Sequence, residues 1–233
     1  MQEFKYYKSG EITVFLSLVF LAMIAFVAVI IQSSREVYIE HKIESISDIA
    51  IRSVFSEYDV YLYENYGLLY VDTTYKGAET GGEEYLLEHL SSYINANLVD
   101  DRLGIEICSL EANNICYADS NNYDSIRYQI RTFMTLNQEM SEYATDEDIL
   151  DKYIDLKMPS DFYEKISMDD ESMLLTYEEK LYEVVKAIES DMVENQSSKF
   201  SFSNQIESAV LNIQFSGANG RLYECERYYS LTW

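Results

Sequence analysis

Between Ile12 and Ile31 the chain runs for twenty residues, ITVFLSLVFLAMIAFVAVII, without one charged side chain. At about 1.5 Å of rise per residue this is roughly 30 Å of helix, the thickness of the hydrocarbon layer of a bilayer. A cleavable secretory signal has an apolar region of only about 7 to 15 residues that ends in small residues of A-x-A type. Here Gln32, Ser33, Ser34 and Arg35 follow instead. The segment therefore reads as an uncleaved transmembrane helix and sets the frame for everything after it. Tyr6 and Tyr7 on one side and Tyr38 on the other suit the headgroup layers, which favour amphipathic aromatic rings.

Charge supplies the topology. The chain carries 41 Asp+Glu against 17 Lys+Arg, a net charge of −24. That balance excludes a nucleic-acid binder, because phosphate recognition needs a basic face. Lys5 and Lys8 before the span nearly balance Arg35 and Lys42 after it, so the positive-inside rule is close to tied. Up to Lys42 the acids Glu3, Glu11, Glu36 and Glu40 equal those bases, and the whole negative charge belongs to the later residues. A short basic N-terminus inside and a large acidic head outside the cytoplasmic membrane is the simpler arrangement.

One Pro and 8 Gly in 233 residues leave little punctuation. An apolar content of 48% is enough to bury a core. The expected fold is mainly α with a small antiparallel β-sheet (α+β). In it the N-terminal transmembrane helix continues as an amphipathic spine packed on an extracytoplasmic head. Ile39, Ile43, Ile46, Ala50, Val54 and Tyr58 recur at steps of three and four, which predicts one helix from about Glu11 to Asn65. The expected organisation is a basic tail or leader over 1–10, the span over 11–31, the spine over 32–66 and the head over 67–233.

Within the head, Gly67 is a helix C-cap, Leu68 to Val71 a short strand, and Thr73 to Gly82 a loop. Glu83 to Leu98 has helical periodicity. Gly104 to Cys108 alternates as a strand does, Ala112-Asn113-Asn114 is a turn signal, and Ile115-Cys116-Tyr117 returns beside it, which predicts a hairpin. Asn121 or Asn122 caps a helix through Met134, and Asp146 to Lys157 forms another before the boundary at Pro159. Ser160 to Glu194 is helical in pattern, with a break near Asp169-Asp170 and a buried face of Leu174, Leu175, Leu181, Val184, Val185 and Ile188. A serine-rich joint, the apolar-periodic Ile206 to Phe215, a turn at Gly217 to Gly220 and a last strand from Arg221 to Leu231 complete the chain.

Gly10 followed by E-I-T-V-F-L-S-L (Glu11 to Leu18), then F-S-E-Y-D (Phe55 to Asp59) and E-N-Y-G-L-L-Y-V-D (Glu64 to Asp72), form a recognisable set. The first third of the chain resembles an uncharacterised family of single-span proteins of Gram-positive bacteria, similar to TadE/TadG-type pilin-like proteins of tight-adherence (Tad) pilus systems. The signature rests on Gly10, Ile12, Thr13, Val14 and Phe15 and on Tyr66, Gly67, Leu68 and Asp72. The resemblance implies a lollipop shape and a non-enzymatic pseudopilin or accessory role in the bacterial cytoplasmic membrane. The bilayer and other pilus or membrane assembly proteins, met through the N-terminal helix, are its implied partners. It also implies a leader cleavage site between Gly10 and Glu11, although Phe15 occupies the fifth position after it, where pilins usually carry Glu. The alternative function is a membrane-tethered extracellular binding or sensing module with no filament role.

Other constellations have ordinary structural readings beside the chemical ones. Cys108 and Cys116, both on the expected hairpin, form the candidate disulfide, with small buried thiols as the alternative and Cys225 left free or intermolecular. His41 and His89 lack paired ligand spacing and no C-x-x-C occurs, so no metal or cofactor is assigned. The acidic runs Asp146-Glu147-Asp148 and Asp169-Asp170-Glu171 lack the spacing of a calcium loop and read as solvated helix ends. No G-x-S-x-G accompanies the two histidines, and no catalytic residue is assigned. The 22 tyrosines fit a half-buried core or an adhesive surface. Ala22, Ala25 and Ala28 in the span permit close helix approach and self-association.

Overall fold

A computed structural model describes residues 7–74, 82–98, 103–137, 144–160, 162, 166, 175–218 and 220–231. The protein is mainly helical with one small antiparallel sheet, the expected α+β class. Helix α1 (Tyr7–Phe55) carries the apolar run and the spine in 49 continuous residues, about 73 Å of helix. Its distal half buries Ile39, Ile43, Ile46, Ala50 and Val54 of the expected stripe, while Tyr58, the last expected member, lies beyond the end of the helix and is half-buried.

The spine is shorter than its periodicity predicted. Helix α1 stops at Phe55, and a separate α2 (Val60–Tyr66) follows. Asp59 makes the break: its backbone is extended, its carboxylate accepts from the Leu62 amide at 3.0 Å, and its own amide donates to the Tyr70 carbonyl at 2.9 Å. An N-cap in mid-pattern thus outweighs apolar spacing, because it satisfies helix-end donors that a continuous helix would not expose. Gly67 closes α2 in the left-handed conformation, as expected, with its amide donating to the Tyr63 carbonyl at 2.8 Å.

Strand β1 is only Val71–Asp72, since Leu68 to Tyr70 lie against the interior without joining the sheet. Helix α3 (Glu83–Leu98) matches its predicted span and buries Leu86, Leu90 and Ile94. The expected hairpin does not form. Glu106–Tyr117 is one continuous strand, β2, paired antiparallel to β3 (Gln205–Ser216), and β4 (Leu222–Ser230) returns along β3's other edge. Beyond the end of β4, β1 pairs with Gln205 and Ile206 of β3 on that same edge. The asparagines that read as a turn are absorbed as irregularity: Asn114 has φ 48° and the register shifts between Asn113 and Cys116.

This removes the candidate disulfide. Cys108 and Cys116 sit eight positions apart on one strand. At the usual rise that is roughly 26 Å, whereas bridged Cα atoms lie within about 7 Å of each other. Cys108 is an exposed free thiol, Cys116 is half-buried and Cys225 is buried. Burial, with Glu207 beside it, pushes the Cys116 thiol up from its ordinary value. Iodoacetamide at neutral pH is therefore expected to label Cys108 first in the folded chain, with Cys116 and Cys225 reacting only on unfolding. Peptide mass mapping checks this, and a 108–116 linked peptide would contradict it.

The sheet has one packed face. Ala209, Leu211, Ile213 and Phe215 of β3 and Tyr223 and Cys225 of β4 face α1 and α3, while Glu111, Asn113, Glu224, Glu226 and Tyr228 are turned away from that core. This alternation is what a half-covered antiparallel sheet requires. A second cluster lies among α2, α4 (Ser120–Asn137), α5 (Asp146–Lys157) and α6 (Tyr177–Asn195). Its members include the expected Leu181, Val184, Val185 and Ile188, whereas Leu175, also expected on this face, is only half-buried and outside the cluster; Leu174 and the expected break at Asp169-Asp170 lie outside the described residues. Met158 and Phe162, on either side of Pro159, pack in this same cluster. Capping boxes at Thr145/Asp148 and Thr176/Glu179 start α5 and α6. Asn121 and Asn122 do not cap α4 in the expected way; with Tyr123 they occupy left-handed φ values of 50°, 57° and 62°, and the right-handed turns begin after them.

Burial holds the Tyr66, Tyr70 and Tyr153 hydroxyls well above their ordinary value, and raises Tyr177 to about 12. The Tyr66 phenol also donates to Asp191 at 2.8 Å, and that of Tyr153 donates to the Tyr66 carbonyl at 2.8 Å. The folded chain thus keeps protons that the unfolded chain releases near about pH 10, so their contribution is complete below that pH and is lost as pH rises toward the folded values. Alkaline titration followed by tyrosinate absorbance and circular dichroism is expected to show Tyr66, Tyr70 and Tyr153 ionising only with unfolding. Their ionisation in an intact fold would contradict the burial argument.

Candidate functional site at the base of the head

The feature of this chain that ordinary folding does not consume is the proximal half of α1. The most apolar stretch of this helix, which is long and apolar enough to cross a membrane, contains no residue buried within the protein. Phe15, Leu21 and Phe26 are 64–68% exposed, and Ile12, Leu16, Leu18, Ile24 and Ile31 are exposed with them. A column of this size far exceeds the apolar patches that soluble monomers leave in water, and its length matches one crossing of a bilayer. A core helix of a soluble protein would instead be covered by its own chain. Tyr38 lies exposed just beyond the column.

The helix enters the head at Glu36 and Ile39, where two kinds of contact take over. The apolar stripe from Ile39 to Val54 packs on the sheet, each fully buried Ile contributing about 1.5–3 kcal/mol. Beside it runs a ladder of charges: Arg221 reaches Glu36 at 3.0 Å and Glu40 at 3.9 Å, and Arg227 reaches Asp48 at 3.0 Å and Glu44 at 3.7 Å. Glu36, Glu40, Glu44 and Asp48 recur every four residues and so share one helix face, turned toward β4. The side chains are partly exposed, and such pairs contribute about 0.2–1 kcal/mol each. Apolar burial holds the spine down, and the arginines fix its register. Sequence reading missed this ladder; the four-residue acid spacing was its signal, but the arginines lie far along the chain.

The signature residues fall into two places. Ile12, Val14 and Phe15 lie on the exposed column with Thr13, while Gly10 and Glu11 belong to the backbone of α1; residues 1–6 of the expected tail or leader lie outside the described residues. Tyr66, Gly67, Leu68 and Asp72 form the passage from α2 to the sheet. There the buried Gln129 holds the backbone of Leu69, accepting from its amide at 2.6 Å and donating to its carbonyl at 3.0 Å. Asp72 accepts from the Thr74 amide at 2.9 Å and from its hydroxyl at 2.7 Å. The structure does not bring the two groups together: one is an uncovered apolar surface and the other a folding element.

Two further polar groupings were not foreseen. His89 Nδ1 lies 3.0 Å from a Glu57 oxygen, and the Tyr93 hydroxyl donates to the other oxygen, on the wall of an open groove of about 560 Å³ that also meets Thr74, Tyr85, Glu88 and Ser92. In the interior, Glu207 is the extra residue of a bulge in β3, where Cys116 and Tyr117 of β2 face Ser208 and Ile206. Its carboxylate accepts from the Ser125 hydroxyl, which in turn meets the Tyr70 hydroxyl at 2.8 Å. Among the described residues no three His, Cys, Asp or Glu side chains are grouped to hold a metal ion. These features define a class: an α+β protein whose head grips the distal half of a long apolar helix. Comparison with protein-family profiles, curated proteins and solved structures finds no match to the chain.

Proposed function

We propose that this is a non-enzymatic, membrane-anchored, pilin-like protein, a pseudopilin or accessory component of a Tad-type pilus or its assembly machinery. In this reading it sits in the bacterial cytoplasmic membrane with its N-terminus inside and its head outside. The observation that carries the reading is the continuity of α1: one unbroken helix offers an uncovered apolar half to lipid or to neighbouring helices and commits its other half to the head. Such a helix couples events in the membrane rigidly to the head, which a flexible tether would not do. The signature residues at both ends of the spine add the resemblance described above.

The test is to replace Ile12–Ile31 with an unrelated span of equal length in the native host. Assembly of the pilus is expected to fail while the protein stays in the membrane. Normal assembly after the exchange would overturn the proposal. The second reading, a tethered extracellular binding module, draws its support from the groove at Glu57, His89 and Tyr93, where tyrosine rings and hydrogen-bonding groups converge. It predicts that partner binding survives both the exchange and removal of the span.

A further inference from the structure

Where α1 leaves its apolar segment, the β3–β4 turn overhangs it. Ala28, Ile31, Gln32, Arg35, Glu36 and Ile39 of the helix and Ala218 of the turn line a groove of about 460 Å³. Ala28, Gln32, Arg35 and Ile39 follow at steps of four, three and four, so they share a helix face, and that face continues into the packed stripe Ile43, Ile46 and Ala50. The groove is therefore the stretch of the spine's packing surface that the head roofs but does not fill.

Its position relative to the span decides what can enter. Ile31 ends the apolar run, and Arg35 stands four residues further, about 6 Å along the axis. The headgroup layer on each side of a bilayer is about 5–8 Å thick, which puts the guanidinium at the level of the lipid phosphates. The two ends of the groove differ in chemistry: Ala28 and Ile31, toward the apolar run, are hydrocarbon, whereas Gln32 and Arg35, toward the head, offer hydrogen-bond donors. Glu36, the acid on the wall, is engaged by Arg221 at 3.0 Å. Arg35 bonds no carboxylate among the described residues, unlike Arg127, Arg131, Arg221 and Arg227, each of which does. In a chain of net charge −24 this leaves a positive group exposed where the surrounding medium supplies phosphate esters.

We propose that this groove is a binding site for one phospholipid, whose phosphate is held by Arg35 and Gln32 beneath the β3–β4 turn while its glycerol and upper acyl carbons lie on Ala28 and Ile31. The bound lipid fills the gap between head and membrane surface and sets the height at which the head rides. A guanidinium fork suits a phosphate better than an ammonium because it donates two parallel hydrogen bonds. The inference rests on the membrane reading above but not on the direction in which the chain crosses, since the groove meets a lipid headgroup layer either way.

The full chain, purified in detergent, would be examined by native mass spectrometry with phosphatidylglycerol and, separately, with a phosphate-free galactosyl diacylglycerol of the same acyl chains. Retention of one phosphatidylglycerol is expected, with the glycolipid retained roughly tenfold less, the loss that one charge-assisted contact implies. Arg35→Gln should remove the preference, Arg35→Lys should keep part of it, and Arg52→Gln, which removes an equal charge from an exposed position in the last turn of α1, far from the groove, should leave it unchanged. Equal retention of the two lipids, an unaltered preference in Arg35→Gln, or displacement by inorganic phosphate alone would overturn the site. Alkaline carbonate extraction of native membranes separates the two levels. A chain released by carbonate would overturn the membrane reading and the site together, whereas a chain that resists extraction but shows no lipid preference would overturn the site alone.

Discussion

Leu21→Arg combined with Ile24→Arg is expected to abolish stable membrane insertion while leaving the head folded. On the insertion scale each central arginine costs about 2.5–3.5 kcal/mol, and each Leu or Ile lost forfeits about a further 0.3–0.6 kcal/mol. The pair therefore costs about 6–8 kcal/mol, comparable to the whole insertion free energy that a segment of this composition can supply. Neither residue touches the head, since both lie on the exposed column and no residue from Ile12 to Tyr38 is buried. Fractionation should move the variant from the carbonate-resistant membrane pellet to the soluble or aggregated fraction. The circular dichroism and thermal transition of its head should match those of the native chain. Retention in the pellet would mean that the column is covered by something other than lipid.

Gly67→Ala is expected to be the most damaging of the conservative changes in the head. Gly67 has φ +70°. Placing a non-glycine residue in that region costs about 1–2 kcal/mol. The added Cβ would also fall inside the van der Waals surface of the Phe133 ring. That ring is itself packed edge-on against the buried Tyr153 at 6.4 Å, so it has little room to retreat. Such overpacking adds about 1–3 kcal/mol. The sum of about 2–5 kcal/mol is a large part of the stability of an ordinary domain. Urea denaturation should show the loss, and the double variant Gly67→Ala with Phe133→Ala should recover the steric part but not the backbone part. A change below about 0.5 kcal/mol, the scale of surface substitutions, would contradict the close approach.

This glycine shows how far the sequence carried the interpretation. Its role as a helix cap was legible from Gly after a helical run, but its contact with Phe133 depends on α4, a distant segment. The same division holds for the spine. The stripe from Ile39 to Val54 was readable because helical periodicity is local, yet its end at Phe55 was not, because Asp59 takes up the Tyr70 carbonyl only once β1 lies against β3. The hairpin failed for a similar reason. Asn113 and Asn114 carry a turn signal, but β3 offers a long pairing edge, and a continuous ladder satisfies more backbone groups than a short hairpin would. With that strand the presumed Cys108–Cys116 pair disappeared.

Of the candidate site, the long apolar helix was legible, because the capacity to span demands only length and the absence of charge, both properties of a contiguous segment. The Arg221 and Arg227 ladder and the groove under Ala218 were not, because each joins the N-terminal helix to residues near the other end of the chain. The sequence by itself determined the apolar helix, the amphipathic stripe, the extents of α3 and α5 and the acidic character of the head, since propensity, periodicity and capping act over a few neighbouring residues. Tertiary structure alone decided that β2 is one strand, that α1 and α2 are separate, and which cations meet which acids. Those outcomes are set by competition among distant partners for the same backbone groups and the same buried surface.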